Sequence, residues 1–339
     1  MKFAVIGSDH AHVFRFVEHM KAAGGVFAGV WEDGHPHTRR LMDEYGAQAY
    51  PSWESVLAEH PGIVGCFAPN GRRMEIVEAC SAAGIPVMSD KPLVVNEDGL
   101  RQLTAVMEKG TPVSMMYTLR FEKIVRALKV LLDSGELGRL INMEIFNPHQ
   151  LHPERRPDWH FDPAHGTVAS DLLTHSVDLF RWFTGGEEWE YREAMVTKSI
   201  LPEKPGFEDL AAAHVRTKSG VSGYFRSDWH MPETNGSWGD CRIFVTGSRG
   251  MAEARVTGDP LTRKETLIVY SPERGTFEAD PESMDLGSGA ENESVDFLDR
   301  LAGRPHIITQ EDVLESCREA LMLDRIALRA DLTEKEEET

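Results

Sequence analysis

The stretch that most constrains this chain is its first dozen residues, Lys2 to His12. Phe3 to Ile6 form a short apolar run that stops at Gly7, and a helix-compatible segment starts a few residues later. An apolar strand feeding a glycine turn and then a helix is how a dinucleotide-binding unit begins. The glycine permits the tight turn, and the helix N-terminus offers free N–H groups and a positive dipole end to a pyrophosphate. The G-x-G-x-x-G pattern would place glycines at 7, 9 and 12, whereas this chain carries Gly7, Asp9 and His12, with His10 between them. Asp9 puts an anionic side chain near the expected pyrophosphate, so the reading requires it to turn away or to pair with His10 or His12. Gly7, Asp9, His10 and His12 are the first candidate cofactor contacts.

The following chain repeats the same alternation. Helical spacing predicts a helix from about 13 to 23, then a buried strand over Val26–Trp31 with Glu32 at its end. A carboxylate there accepts hydrogen bonds from the adenosine ribose and repels a 2′-phosphate, which favours NAD over NADP. A helix over 38–45, a strand over 63–68, a helix over 73–83, a strand over 85–89, a helix over 97–109 and a strand over 113–116 follow. That order argues a parallel sheet covered on both faces to about residue 118. The pattern then changes. Helices are expected at 121–132, 168–184, 293–303 and 310–331, and the span from 187 to 280 holds consecutive strand-like runs that argue an antiparallel sheet. The division expected is 1–118, 119–333 and a charged tail at 334–339, with the last helix packing back on the first domain.

Charge and cysteine usage narrow the functions. A net charge of −19 in 339 residues argues against nonspecific nucleic-acid binding and against an anionic membrane surface. The four cysteines include no C-x-x-C pair, which reads as free thiols in a reducing compartment. No apolar run approaches the ~20 residues that cross a bilayer, and the N-terminus runs straight into a strand. A cytoplasmic enzyme is the expectation. No G-x-S-x-G and no G-x-x-x-x-G-K-[ST] motif occurs.

Three groups carry chemistry. Lys91, in Asp90-Lys91-Pro92-Leu93, lies just past a parallel strand, where open α/β sheets bind ligands. Asp171 and His175 stand four residues apart on a predicted helix, so they share one face and one ligand. His149, His152, Trp159 and His160, with Arg155, Arg156 and His165, fill a loop suited to a hydroxylated or anionic substrate. Their spacing matches no compact metal motif, so no metal is assigned.

Together these residues resemble the Gfo/Idh/MocA family of nicotinamide-dependent oxidoreductases. Ala68-Pro69-Asn70 resembles the family's turn after the fourth strand, and Ser89-Asp90-Lys91-Pro92-Leu93 its E-K-P motif, with Asp for Glu. Leu119-Arg120-Phe121 and Ser134–Gly138 are similar to the landmarks that open its C-terminal domain. Gly166–Asp178 is similar to its G-G-x-x-x-D-x-x-x-H-x-x-D helix, and Thr246–Gly250 to its late turn. Arg73 stands where the family often has histidine. The resemblance implies an α/β fold: a Rossmann doubly wound sheet, then an α+β domain whose large, mostly antiparallel open sheet often packs on another subunit as a homodimer or homotetramer. It implies hydride transfer between NAD and a secondary alcohol of a sugar, inositol or related polyol, with Lys91, Asp171 and His175 catalytic. Pro69, Asn70 and Lys91 join the cofactor contacts, and Arg120, His149, His152, Trp159 and His160 the substrate contacts. Three other activities stay open: a glycosidase that oxidises its substrate transiently with held NAD, a non-catalytic ligand sensor, and metal-assisted chemistry at the histidine-rich loop.

Overall fold

The computed structural model describes residues 1–31, 34–259, 261–287 and 291–333. Two compact units emerge. The first comprises Met1–Thr118, Ala164–Gly166 and Ser288–Arg318; the second comprises Leu119–Pro163, Thr167–Gly287 and Glu319–Thr339.

In the first unit, strands β1 (Lys2–Ser8), β2 (Val26–Trp31), β3 (Ala49–Tyr50), β4 (Ile63–Phe67), β5 (Val87–Ser89) and β6 (Val113–Met115) form a six-stranded sheet in the order β3-β2-β1-β4-β5-β6. All of its pairings are parallel. The order reverses between β1 and β4, and that switch point leaves a crevice at the strands' carboxyl ends. Helices α1 (His12–Ala22), α2 (Pro36–Tyr45), α3 (Trp53–Ala58), α4 (Arg73–Ala82) and α5 (Glu97–Glu108) connect the strands. Phe3, at the heart of the sheet, stacks on Phe27 with ring centroids 4.9 Å apart and meets Phe16 edge-on at 5.7 Å. Each such buried aromatic side chain contributes roughly 1.5–3 kcal/mol by leaving water, plus about 0.5–1.5 kcal/mol for the ring pair.

In the second unit, strands β7 (Leu140–Pro148), β8 (Trp189–Lys198), β9 (Leu210–Thr217), β10 (Ser222–Asp228), β11 (Arg242–Gly247), β12 (Met251–Arg255), β13 (Thr266–Ser271), β14 (Gly275–Glu278) and β15 (Leu328–Asp331) form a nine-stranded sheet, ordered β14-β13-β12-β11-β7-β10-β9-β8-β15. It is mixed. β10 runs parallel to β7, with Asp228 beside Pro148, and β15 runs parallel to β8, while the other neighbours are antiparallel. One face buries Met143, Ile145, Phe225, Ile243 and Val245 against α6 (Lys123–Asp133) and α7 (Thr174–Phe183). The opposite face exposes Met195, Tyr224, Met251 and Tyr270.

Two expectations change at the C-terminal end. α8 (Glu293–Leu301) belongs to the first unit, where Phe297 joins the core of Phe16 and Met20. α9 (Gln310–Ile326) stops five residues short of the helix expected to 331, because Leu328–Asp331 extends to pair with β8. The division between the units falls within α9. The tail 334–339 lies outside the described residues.

Gly7 is where the first turn depends most on one atom. Its φ is 76°, and a Cβ there would sit 2.5 Å from the Ala68 Cα. Left-handed backbone costs an L-residue roughly 1–2 kcal/mol, and the overlap with backbone cannot relax cheaply. Gly7→Ala is expected to destabilise the protein by at least about 2 kcal/mol, read as a lower denaturant midpoint; an unchanged midpoint would contradict this account of the turn.

Candidate active site

The candidate cofactor residues of the first unit gather around Asp90, which is fully buried just past β5. Its Oδ1 accepts hydrogen bonds from the His12 Nδ1 at 2.9 Å and from the Lys91 backbone N–H at 2.8 Å. His10 Nδ1 lies 2.8 Å from Oδ2, and the His10 and His12 rings meet edge-on at 4.3 Å. Arg73 stands behind this group. It is fully buried, donates to the Ala68 and Pro92 carbonyls at 2.9 and 2.7 Å, and brings Nη2 to 3.7 Å from Asp90 Oδ2. Burial alone would raise the Asp90 pKa, but the two imidazoles hold the carboxyl well below the usual range. Burial pushes His10 the other way, down to about 4, against the attraction of Asp90. The turn after β1 is thus tied to the strand end that presents Lys91.

Both imidazoles engage Asp90, and the Asp9 backbone N–H donates to the Phe67 carbonyl at 2.9 Å. Lys91 is itself largely buried, and its peptide bond to Pro92 is cis. Pro69 precedes a short 3-10 turn over Asn70–Arg72, with Asn70 buried at its start. Gly71 N–H donates to His165 Nδ1 at 3.1 Å. Glu32 lies outside the described residues. This half fits an adenine dinucleotide. α1 begins at the switch point with no acid in its first turn, and the His12 N–H donates to His10 Nδ1 at 3.3 Å, so the helix N-terminus that would meet a pyrophosphate is shaped by the histidines around Asp90.

The second unit holds the other candidate residues. Asp171 sits on a π-helical turn, Ala169–Leu173, that runs directly into α7, where His175 is buried. A π-turn widens the helix locally and recurs at functional sites. Thr167 and Ser170 fix its start, each accepting from the other's backbone N–H, and Asp171 N–H donates to the Thr167 carbonyl. Almost all of α7 is buried, including Ser176 and Asp178.

The loop histidines, which sequence spacing could not place on one face, gather around two tryptophans. His149 and His160 meet Trp229 edge-on at 5.8 and 5.3 Å, and His152 stacks on Trp238 at 5.7 Å. Trp159 lies 6.1 Å from His160. Arg156 lies between the tryptophans, 4.8 Å from the Trp229 ring and 4.9 Å from the Trp238 ring, and donates to the Leu151 carbonyl. Burial lowers the Arg156 pKa, and the charge of nearby Asp171 opposes that. Its Nη2 is buried without a hydrogen-bond partner among the described residues. Trp229, Trp238 and the central place of Arg156 are features the sequence did not single out. They come from loops 70 to 90 residues apart, brought together by the β7–β10 pairing.

Arg120, expected at the substrate, is placed otherwise. It is fully buried and grips Asp178 with Nε and Nη2 at 2.8 and 2.7 Å, with Trp182 flanking the guanidinium at 5.5 Å. The bidentate pair anchors α7 rather than presenting a cation to ligand.

Family models match two long stretches of the chain. Residues 1–117 match the oxidoreductase family NAD-binding Rossmann fold, and residues 125–253 match the GFO/IDH/MocA C-terminal domain. The chain belongs to the GFO/IDH/MocA family. It is 31% identical over 228 residues to an inositol 2-dehydrogenase of Gluconacetobacter diazotrophicus, covering 64% of this chain and 62% of that one. It is 28% identical over 267 residues to an inositol 2-dehydrogenase of Pseudomonas fluorescens, covering 76% and 68%. The chain spans about half the length of the first curated relatives it matches. A crystal structure of a protein from Erwinia carotovora atroseptica superposes with a TM-score of 0.89 at 24% identity, covering 97% of this chain and 99% of that one. No helix among the described residues is long and apolar enough to cross a membrane.

Asp178→Asn removes the carboxylate charge that grips the buried Arg120. The expected cost is roughly 3–5 kcal/mol, measured by denaturant unfolding. A loss below 1 kcal/mol would show that the pair does not anchor α7.

Proposed function

We propose that this chain is an NAD-dependent oxidoreductase that moves a hydride between the nicotinamide and a secondary alcohol of a sugar, inositol or related polyol. The observation that carries the reading is the Asp171–His175 pair on a π-turn and a buried helix beside Arg156, in a chain whose first unit fits a dinucleotide. The bound cofactor supplies a hydride acceptor at its nicotinamide. The chain's residues do the rest. His175 takes the hydroxyl proton, a task suited to an imidazole near neutral pH. Lys91 hydrogen-bonds that oxygen and stabilises its developing charge. Asp171 orients the substrate or the histidine. Gly7, the α1 N-terminus, Pro69 and Asn70 line the cofactor crevice, and His10 and His12 shape it through Asp90. His149, Trp159, His160 and Arg156 form the substrate wall. Glu32 selects NAD over NADP through the ribose hydroxyls.

The setting of the reading is cytoplasmic, with the chain assembled as a homodimer or homotetramer through the exposed face of its nine-stranded sheet. Aromatic and aliphatic side chains there, including Tyr224 and Tyr270, form the kind of apolar surface that packs in oligomers. Sedimentation of the purified chain at micromolar concentration is expected to show a dimer or tetramer, and a monomer would remove this part of the reading.

Cofactor reduction across a panel of polyols, sugars and sugar acids, with NAD⁺ and NADP⁺ in parallel, tests the activity. At least one polyol is expected to turn over, faster with NAD⁺. Lys91→Ala and His175→Ala are each expected to lower kcat by about 10²–10⁴-fold with the folded state retained by circular dichroism. Undiminished turnover in either variant would refute the assigned roles.

A further inference from the structure

The loops that follow β7 and β10 hold a second cluster whose geometry the hydride-transfer reading does not use. It begins with Gln150. The Gln150 Nε2 donates to the Pro232 carbonyl at 3.0 Å and to the Asn235 carbonyl at 2.6 Å. Two carbonyl acceptors fix which end of the amide is nitrogen, so Oε1 faces the other way and can only accept. His152 Nε2 lies 2.8 Å from that Oε1 and must carry its proton. The neutral imidazole then has its lone pair on Nδ1.

That lone pair faces two carboxylates. Nδ1 is 3.0 Å from Glu233 Oε1 and 3.9 Å from Glu154 Oε1, and it is buried with no hydrogen-bond partner among the described residues. A lone pair opposite anionic oxygens is repulsive unless a positive charge lies between them. The Nδ1 and the two carboxylate oxygens all lie within 4.8 Å of one another. Bonds of about 2.0–2.2 Å from nitrogen and oxygen ligands to one small cation put neighbouring ligand atoms about 3–3.5 Å apart in tetrahedral or octahedral geometry. The two measured separations bracket that span. Trp238, stacked on the imidazole at an interplanar angle of 21°, and Gln150 behind it hold the ring in place, as outer partners do for metal-binding histidines. The carboxylates are more than half exposed, which leaves an entry path. Arg155, whose Nε is 3.1 Å from Glu154 Oε1, is the competing cation at the rim.

We propose that His152, Glu154 and Glu233 bind one divalent first-row cation of mixed nitrogen and oxygen preference, of which Zn²⁺ is the representative. The cation ties the loop after β7 to the loop after β10, the two loops that carry Arg156, Trp229 and Trp238. The site is distinct from the His10–His12–Asp90 group, where both imidazoles are already directed at the carboxylate.

The experiment uses the full chain, freed of metal with a chelator and then titrated with Zn²⁺ by calorimetry and with Co²⁺ by visible absorption. One equivalent of Zn²⁺ is expected to bind, with a Co²⁺ d–d band. At a Zn²⁺ concentration about 100 times the Kd, the thermal midpoint is expected to rise by about 5 °C. Glu233→Gln alters only an exposed side chain and is expected to weaken binding by at least about 100-fold. His152→Ala is expected to abolish the Co²⁺ band, whereas His12→Ala retains it. Binding that survives both Glu233→Gln and His152→Ala overturns the assignment. So does a wild-type chain that binds no Zn²⁺ at millimolar concentration, since the approach of His152 to Glu233 is then a contact between the loops and nothing more.

Discussion

The first unit depends on a charge held where water cannot reach it. Asp90 is fully buried, and an unpaired carboxylate in that position would cost several kcal/mol. His10, His12 and the Lys91 N–H surround it, with Arg73 behind. The arrangement has a structural consequence for a first turn that lacks two of its three expected glycines. Where glycines would let the backbone close on a phosphate unaided, this turn is fixed by side chains bound to the neighbouring strand end. The same carboxylate that anchors the turn also fixes the backbone of Lys91. The position of the lysine and the shape of the turn are therefore one property of the chain.

The second unit is arranged around polar groups on a helix that is otherwise core. α7 buries His175, Ser176 and Asp178 among Leu172, Leu179 and Phe180. Burying a charge on such a helix costs free energy unless it is paired, and Arg120 supplies the pair for Asp178 from the segment just before α6. The π-turn that precedes α7 adds one residue to the local repeat, which sets Asp171 at the partly exposed rim while His175 faces inward.

Much of this was legible in the sequence, for local reasons. The parallel sheet of the first unit followed from strand–helix alternation, and Gly7, Lys91, Asp171 and His175 stood out by position relative to strand ends and helical spacing. What escaped was non-local. Nothing near Asp90 in sequence indicates that two histidines some eighty residues earlier converge on it. Arg120 looked like a ligand contact because its guanidinium partner lies 58 residues away. The loop histidines had no common face until Trp229 and Trp238 supplied one. Runs of short strands suggest antiparallel neighbours, but β7 and β10 are far apart in sequence, and their parallel pairing is a matter of topology. Residues 328–331 continue the helical periodicity of α9, and only the free edge of β8 draws them into extended form.

The parallel pairing of β7 and β10 has a further consequence. Because Pro148 and Asp228 lie side by side, the loops after both strands leave the sheet at the same end, next to each other. The strand residues are fixed by register, and the loops are bridged to each other as well, His149 to Gly239 and Gln150 to His230. The two loops therefore behave as a cassette on a rigid mount. Leu151, Phe161 and Trp229 tie these loops into the core, so exchanges at the other loop positions are the ones that would alter the surface around Arg156 and Trp238 while the scaffold keeps its packing. A chain built this way acquires new ligand preferences by changing its edge and keeping its core.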